Sequence, residues 1–294
     1  MNTILSINNV SKSYGPIRAL TNVSFEIPVG SVFGILGPNG SGKTTLLGIL
    51  LDVLKADSGN FTWFEGIPGD EARRQIGSLL ETPNFYHYLS AMDNLEITSS
   101  IKQRGKSDKE NVLRKVGLYE RKDSKFQTYS LGMKQRLAIG NALLSGPKVL
   151  VLDEPTNGLD PAGIAEIREM IKELNRNGIT IIMASHLLDE VEKVCTHVAI
   201  LKKGHLLLSG DVRDVLTSDD YAELKADDLQ ALHQTLARIG GIEKVDARDG
   251  FVYVYGKGLE LGAINRHCMQ QGVVLSHLVM KKKSLETKFI ELTD

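Results

Sequence analysis

The chain has 294 residues, 42% of them hydrophobic, and its 35 basic and 36 acidic side chains leave a formal charge of −1. This length suits one large domain and one small domain, and the hydrophobic content allows a sizeable buried core. The balanced charge gives no electrostatic reason to expect nucleic acid as the main partner.

The cysteines and the apolar segments indicate the compartment. Cys195 and Cys268 stand far apart without metal-ligand spacing, which favours free thiols in a reducing cytosol. The first residues lack the basic region and apolar run of a signal peptide, and no uninterrupted apolar stretch of about 18 residues occurs. We therefore expect a soluble chain that reaches a membrane only through a partner or a surface patch.

Short apolar segments alternate with helical patterns as far as about residue 210. Residues 32–36, 149–152 and 179–183 are nearly all apolar, which indicates strands buried on both faces of a parallel sheet. An α/β fold with crossover helices follows from this alternation.

Two helices are predicted between these strands. Residues 44–54 are apolar enough for a buried helix. Asp160 is a favourable N-cap, Pro161 suits the first helical position, and Gly178 can end the second helix. The buried face of this helix is predicted from apolar residues at helical spacing, namely Ile164, Ile167, Ile171 and Leu174.

Two further regions differ from the α/β pattern. Residues 84–145 are more polar and mostly helical, so we predict a helical subdomain inserted into a domain that spans residues 1–212. Residues 213–294 carry no motif and predict a small α+β domain, with strands at 251–255 and 273–275. Its helices are predicted from two sets of spaced apolar residues, first Leu229, Leu232 and Leu236, and then Leu285, Phe289 and Leu292.

A phosphate-binding loop is predicted where the first buried strand ends. The P-loop pattern is matched by Gly37, Pro38, Asn39, Gly40, Ser41, Gly42, Lys43 and Thr44. Glycines let backbone N–H groups turn toward phosphate oxygens, and the helix N-terminus adds a favourable dipole. We expect Lys43 to neutralise the β- and γ-phosphates and Thr44 to offer its hydroxyl to Mg²⁺. The alternative is a chance glycine-rich turn, and the strand–loop–helix context argues against it.

Two carboxylates, Asp153 and Glu154, follow the apolar strand at residues 149–152. Ligands in such sheets bind at the carboxyl ends of strands, so acids there lie beside the P-loop. We expect Asp153 to hold Mg²⁺ directly or through water, and Glu154 to orient and deprotonate the attacking water. Without the P-loop, a solvated acidic strand end would be the better interpretation.

These motifs, in this order, closely resemble the ATP-binding cassette family, the ATPase subunits of ABC transporters, over residues 1 to about 215. The resemblance implies that Tyr14 stacks on adenine, that Thr45 belongs to the nucleotide-binding loop, and that His186 contacts the γ-phosphate and the catalytic water. Alone, Tyr14 would be a surface packing residue and His186 a structural one. The implied fold is a P-loop NTPase of ABC type with an inserted helical subdomain, followed by the small α+β domain.

Residues 130–136 are similar to the family's signature segment. Leu131 and Met133 stand where the family has glycine and glutamine, whereas Ser130 and Gly132 match. The resemblance implies that Ser130 and Gly132 reach the γ-phosphate. By itself, this segment indicates only a helix that begins with Ser130 as its N-cap.

Two more positions take their meaning from the resemblance. Asp160 lies in a segment similar to the D-loop, which communicates between subunits, and it can be a helix N-cap as well. Glu81 stands where the family usually has a glutamine that touches Mg²⁺ and senses the membrane partner. A carboxylate can still ligate Mg²⁺, and its charge near the phosphates is expected to slow turnover or alter coupling. This Glu form, with the tail at 284–292, resembles the exporter ATPases of bacitracin-resistance transporters.

The resemblance implies an ATPase that uses ATP and Mg²⁺ and lies at the cytoplasmic face of the cell membrane as a peripheral subunit. Its partners would be a transmembrane permease and a second ATP-binding subunit, in a homodimer or heterodimer. In the family two cassettes face head to tail, so we expect Lys43 and Ser130 to touch one γ-phosphate only across the dimer. The permease contact is predicted near residues 81–95, where a set of aromatic residues, Phe85, Tyr86 and Tyr88, serves either as apolar anchors or as subdomain core.

Two other functions stay open. One is a soluble ABC ATPase that acts on the ribosome or on nucleic acid, and the single cassette, the absence of a long heptad run and the balanced charge argue against it. The other is a regulatory ATP-binding module with weak hydrolysis. The presence of Lys43, Thr44, Asp153, Glu154 and His186 argues against that function.

Overall fold

A computed structural model describes residues 2–80, 83–217, 221–256 and 258–281 of the chain. The chain divides into two units between Gly210 and Asp211. The strands of the first unit are β1 (Thr3–Tyr14), β2 (Ile17–Pro28), β3 (Val32–Leu36), β4 (Ser58–Trp63), β5 (Ile76–Leu79), β6 (Val149–Asp153), β7 (Thr180–Ser185), β8 (His197–Lys202) and β9 (His205–Asp211), which ends at the division.

These strands form two sheets. The smaller has the order β2-β1-β4 and is antiparallel, and the larger has the order β5-β6-β7-β3-β8-β9. In the larger sheet β5, β6, β7, β3 and β8 run parallel. Every residue of β3, β6 and β7 is buried, which confirms the strands predicted from apolar segments. Because these strands are parallel neighbours, their carboxyl ends meet at one edge of the sheet.

The helices of the first unit connect these strands. They are α1 (Lys43–Leu50), α2 (Gly69–Arg74), α3 (Ala91–Lys102), α4 (Lys109–Lys115), α5 (Leu131–Leu143), α6 (Pro161–Arg176) and α7 (Leu188–Val194), with short 3₁₀ turns at Phe64–Gly66, Tyr119–Arg121 and Phe126–Thr128. Asp160 caps α6 by accepting the Gly163 N–H at 3.0 Å, and Gly178 follows the helix end with a φ of 90°. The predicted limits of α6 are thereby confirmed.

Helix α1 is shorter than the predicted stretch 44–54. It ends at Leu50, and the N–H groups of Val53 and Leu54 both donate to the carbonyl oxygen of Gly48. Asp52 adopts a left-handed φ of 59° at this reversal. Of the apolar residues that predict a longer helix, Leu51 and Leu54 turn back and pack against the core, whereas Val53 is exposed.

Helices α3, α4 and α5 lie between β5 and β6, where the mostly helical insertion is predicted. Ser90 and Asp93 form a capping box at the start of α3. Phe126 is 1% exposed and is a centre of packing here, because the rings of Phe85 and Tyr129 lie 5.1 Å and 6.1 Å from it. This small core orients α3, α4 and α5 against one another.

The second unit is a four-stranded antiparallel sheet with helices on one face. In chain order it contains α8 (Val212–Thr217), β10 (Tyr221–Ala226), α9 (Leu229–Leu236), β11 (Lys244–Arg248), β12 (Phe251–Tyr255), α10 (Leu261–Gln270) and β13 (Leu275–Lys281). The strand order is β11-β12-β10-β13. Apolar side chains of α9 and α10, such as Leu232 and Ile264, pack with Leu224 and Val252 of the sheet. This is the βαββαβ arrangement of ferredoxin-like folds.

The predictions for this second unit have mixed outcomes. The helix at Leu229–Leu236 and the strand at Phe251–Tyr255 are confirmed. The strand predicted at residues 273–275 is wrong, because β13 begins only at Leu275 and the Val273 N–H donates to the carbonyl oxygen of Cys268 at the end of α10. The helix predicted from Leu285, Phe289 and Leu292 lies outside the described residues.

None of the helices within the described ranges combines the length and the apolar character that a membrane-spanning helix needs.

Candidate nucleotide-binding site

The loop that joins β3 to α1 packs too closely against its surroundings to carry side chains at two of its glycines. Gly42 precedes α1 with a φ of 106°, and a Cβ there would collide with the carbonyl oxygen of Ala19 on β2. A Cβ at Gly37 would collide with the Ser41 side chain and the Leu201 carbonyl oxygen. The glycine spacing of the P-loop pattern therefore has a local steric cause here.

The Lys43 side chain reaches inside this loop and is 6% exposed. It donates to the carbonyl oxygens of Gly37 at 2.8 Å and Pro38 at 3.4 Å, and it lies 3.6 Å from Oε1 of Glu154. The two longer contacts are weak, so phosphate oxygens can replace them without losing the short anchor to Gly37. A buried cation placed this way suits neutralisation of a phosphate.

The Thr44 hydroxyl donates to Oδ2 of Asp153 at 2.9 Å and so joins the start of α1 to the end of β6. Asp153 is 2% exposed, and both groups are hard oxygen ligands of the kind that Mg²⁺ prefers. Ser41 carries a buried hydroxyl without a hydrogen-bond partner in the described part of the chain. A buried donor of this kind is uncommon and fits a loop that receives the oxygens of a ligand.

Glu154 and His186 meet one residue beyond the ends of β6 and β7. Glu154 has a left-handed φ of 48°, and its N–H donates to the carbonyl oxygen of Ala184 at 3.0 Å. Its Oε2 atom lies 2.8 Å from Nδ1 of His186. The structure thus brings Lys43, Thr44, Asp153, Glu154 and His186 to the same edge of the sheet.

The signature segment and the D-loop meet at a separate place in the first unit. Ser130 caps α5 by accepting the Met133 N–H at 3.3 Å, as its N-cap interpretation predicts. Ser130, Gly132 and Asp160 line a common cavity of about 410 Å³ together with Gly158. Among the described residues, no hydrogen bond or ion pair joins Ser130 to the P-loop of the same chain.

The remaining predicted site residues are placed as follows. Tyr14 ends β1, pairs with Ile17 and is 45% exposed, so its ring is accessible. The hairpin that carries it reaches the P-loop through Ala19, the residue that excludes a side chain at position 42. Thr45 is half-buried in the first turn of α1. Glu81, the expected Mg²⁺ ligand, lies outside the described residues.

One hydrogen bond that holds the P-loop in place is not predicted from the sequence. The Gly204 N–H donates to the carbonyl oxygen of Ser41 at 3.0 Å and anchors the P-loop to the turn between β8 and β9. Lys203 and Gly204 have φ values of 48° and 78°, as a two-residue type I′ turn requires. In the sequence, this turn is indicated by the Lys203-Gly204 pair between two apolar runs.

A buried parallel sheet with a P-loop lysine, two acids and a histidine at one edge defines a P-loop ATPase. A model of the ABC transporter family matches residues 20–157. The chain is 37% identical over 305 residues to the uncharacterized ABC transporter ATP-binding protein YhcH of Bacillus subtilis (strain 168), and the match covers 100% of this chain and 97% of that protein. The chain therefore belongs to the ABC transporter ATP-binding proteins.

Two further comparisons refine this assignment. The chain is 35% identical over 299 residues to the bacitracin transport ATP-binding protein BcrA of Bacillus licheniformis, which covers 99% of this chain and 98% of that protein. The dimeric ATP-binding cassette MJ0796, solved in a post-hydrolysis state with ADP and Pi, matches with a TM-score of 0.62 and 29% identity over 71% of this chain and 99% of that chain. The chain is an ATP-binding subunit and an ATPase of this family.

Proposed function

We propose that this ATPase drives a separate transmembrane permease and that the transporter is an exporter. One observation supports the ATPase activity: five side chains that suit ATP hydrolysis lie at the same edge of the sheet, namely Lys43, Thr44, Asp153, Glu154 and His186. The proposal that the transporter is an exporter is supported by the full-length similarity to a bacitracin transport ATP-binding protein. The subunit would lie at the cytoplasmic face of the membrane, held there by the permease.

The chemistry follows from the positions of these side chains. Thr44 and Asp153 would hold Mg²⁺, which supplies charge neutralisation at the phosphate oxygens. Lys43 binds the β- and γ-phosphates from inside the loop. Glu154 orients the attacking water and accepts its proton, while His186 holds the Glu154 carboxylate and reaches toward the γ-phosphate. Positioning and charge neutralisation are the main requirements of phosphoryl transfer.

A complete site requires two copies of the cassette. Ser130 and Gly132 lie beside the D-loop rather than beside Lys43 in one chain. If Ser130 is to contact the γ-phosphate, the nucleotide must lie between the P-loop of one subunit and the signature segment of the other. The dimeric form of MJ0796 supports this arrangement. ATP binding would close the dimer and hydrolysis would open it.

The aromatic residues near the helical insertion divide into two groups. Phe85 packs on Phe126 in the core, whereas Tyr86 and Tyr88 are 51% and 65% exposed, with ring centroids 6.1 Å apart. We assign Tyr86 and Tyr88 to the permease contact, because exposed tyrosines are frequent anchors at protein interfaces. Phe85 instead stabilises the subdomain.

The test is to express tagged Glu154→Gln in its native cell, solubilise membranes gently with Mg-ATP, and identify the proteins that co-purify. A polytopic membrane protein in stoichiometric amount is the expected result, and its identity would narrow the cargo. Recovery of ribosomes or nucleic acid without a membrane protein would contradict the transport proposal and favour the soluble ATPase. Glu173→Gln, an exposed glutamate on α6, is the matched control.

A further inference from the structure

A second polar cavity opens at the edge of the large sheet opposite the P-loop. It measures about 570 Å³, and its walls include Arg74, Lys102, Arg104 and Ser145; the adjoining groove shares Arg74 and Arg104 and adds Lys148. We call this continuous surface the basic groove. Arg74 and Lys148 lie just before β5 and β6, whereas Lys102, Arg104 and Ser145 lie at or just after the ends of α3 and α5. The basic groove is therefore at the amino ends of these strands. Strand β6 separates the groove from the catalytic acids by roughly 16 Å at the usual strand rise.

The charge of the basic groove is not balanced. Its lining contains five cations and two carboxylates, an excess of three positive charges: Arg73, Arg74, Lys102, Arg104 and Lys148 against Asp70 and Glu71. Arg73 is paired with Asp52 and Asp70. Within the described residues, none of the other four cations forms an ion pair with an acid. Uncompensated cations around one cavity attract an anion.

The preference for cations at helix C-terminal ends explains only some of the cations in the basic groove. Lys102, the last residue of α3, donates to the carbonyl oxygen of Asn141 at 3.2 Å, and a cation is favourable at such helix ends. Arg104 makes a long contact of 3.5 Å to the carbonyl oxygen of Arg74, which leaves most of its guanidinium donors unused. The side chains of Arg74 and Lys148 make no hydrogen bond to the described residues. Arg74 lies in the last turn of α2 and is favourable there for the same reason, so Arg104 and Lys148 are the cations without such a role in the described structure.

Ser145 is an independent sign of a ligand site. Its backbone has a left-handed φ of 82°, which L-residues other than asparagine and aspartate rarely adopt. Its buried hydroxyl has no hydrogen-bond partner among the described residues. Gly105, with a φ of 75°, packs against it so closely that a Cβ would lie 3.0 Å from the Ser145 nitrogen. An unusual backbone and an unpaired donor coincide on the wall of the basic groove.

We propose that the basic groove binds a multiply charged phosphate group, at a site separate from the nucleotide site. Arginine presents a planar fork of donors that matches phosphate oxygens, and Arg74 and Arg104 supply two such forks. The Ser145 hydroxyl supplies a third donor, and Lys102 and Lys148 add charge. A volume of about 570 Å³ falls in the range of small-molecule sites. The phosphate belongs either to a free phosphorylated molecule or to a lipid headgroup.

The test uses the full chain with Lys43→Ala, which weakens phosphate binding at the P-loop, and inorganic pyrophosphate as the probe in calorimetry. Arg74→Ala with Arg104→Ala should raise the pyrophosphate Kd at least about tenfold. Arg238→Ala with Arg266→Ala, which removes two exposed arginines from the second unit, should leave the Kd within about twofold. Pyrophosphate should slow hydrogen exchange at the amides of residues 103–106, Ser145, Gly146 and Lys148, a measurement that does not depend on the folding of a groove variant.

A parallel assay separates the two sources of phosphate. Vesicles of phosphatidylglycerol and of phosphatidylcholine are sedimented with each variant. Capture by the phosphatidylglycerol vesicles that the groove substitutions abolish assigns the site to a lipid headgroup, whereas pyrophosphate binding without capture assigns it to a free molecule. The proposal is overturned if neither probe binds, or if the groove pair and the control pair weaken binding equally.

Discussion

Oε2 of Glu154 lies 2.8 Å from Nδ1 of His186, while Oε1 of the same carboxylate lies 3.6 Å from the Lys43 ammonium. One side chain therefore connects the residue after β7 with the P-loop. The left-handed backbone at Glu154 and its N–H bond to Ala184 hold this side chain at the edge of the sheet. The arrangement suits a base that must stay charged and fixed beside a phosphate.

Replacing Glu154 by glutamine should abolish steady-state hydrolysis while ATP still binds. The amide keeps the size of the side chain but cannot accept the proton of the attacking water, so we expect a loss of about 10²- to 10⁴-fold in kcat. Phosphate release and binding of a fluorescent ATP analogue measure the two properties. His186→Ala should lower kcat less, because it leaves the base itself in place and removes a group that orients the base and contacts the phosphate. Normal kcat in Glu154→Gln would exclude Glu154 as the base.

Alanine at Gly42 should destabilise the protein more than alanine at Gly40. Both glycines have positive φ, but a Cβ at Gly40 meets no atom within 4 Å, whereas one at Gly42 collides with the Ala19 carbonyl oxygen. We expect Gly40→Ala to cost about 1–2 kcal/mol of unfolding free energy from conformation alone. Gly42→Ala should cost about 3 kcal/mol or more, because the backbone must also shift. Urea unfolding of both variants measures the difference, and equal losses would contradict the steric argument.

The parts of the fold that sequence could predict are those with a local cause. Strands β3, β6 and β7 are buried on both faces and therefore appear as uninterrupted apolar runs. The P-loop has its glycines where backbone packing demands them. The end of α1 is also local, since hydrogen bonds from Asp52 and Val53 back to Ile49 and Gly48 close the helix around a left-handed Asp52. The glycine that usually marks such an end is absent here, and the apolar Leu54 continues the helical pattern past it.

Strand β13 shows a second limit of the sequence. Its outward face mixes polar and apolar side chains, and His277 there lies 3.0 Å from Glu223 on β10. The three apolar residues at 278–280 form a run no longer than the one at 273–275, so apolar runs alone do not separate the strand from the segment before it. Likewise, no pattern separates Phe85 from Tyr86 and Tyr88, since only the position of Phe126 decides which ring packs inward.

Removing the Tyr86 and Tyr88 rings should uncouple the subunit from its permease without unfolding it. Both rings are mostly exposed, so the double alanine variant should lose less than about 1 kcal/mol of unfolding free energy. Phe85→Ala should lose about 2–3 kcal/mol, because its ring packs on the buried Phe126. Co-purification of the permease from membranes, beside urea unfolding, checks both outcomes. Retention of the permease by the tyrosine variant would place the contact elsewhere.

The buried thiol of Cys195 should make the first unit less stable at alkaline pH. Burial raises the pKa of this thiol far above its ordinary range. The unfolded thiol ionises near pH 8.5, so the stabilisation is complete below that pH and is lost as pH rises above it, by about 1.4 kcal/mol per unit. Cys195→Ala lacks this dependence. Urea unfolding followed by fluorescence of Trp63, the single tryptophan, at several pH values measures the difference between the two proteins.

Ser130 should act on the nucleotide bound by the other subunit. In one chain the cavity that holds Ser130 is formed with the D-loop, and no hydrogen bond or ion pair among the described residues joins Ser130 to the P-loop. In a dimer mixed from Ser130→Ala and Lys43→Ala chains, one site carries both defects and the other carries neither. Each mixed dimer should therefore keep up to about half of the unmodified activity, so an equal mixture with random pairing recovers up to about a quarter, whereas each variant alone loses about 10²-fold or more. Phosphate release is measured across mixing ratios of the two variants. A mixture no more active than its components would show that Lys43 and Ser130 act on the nucleotide of the same chain.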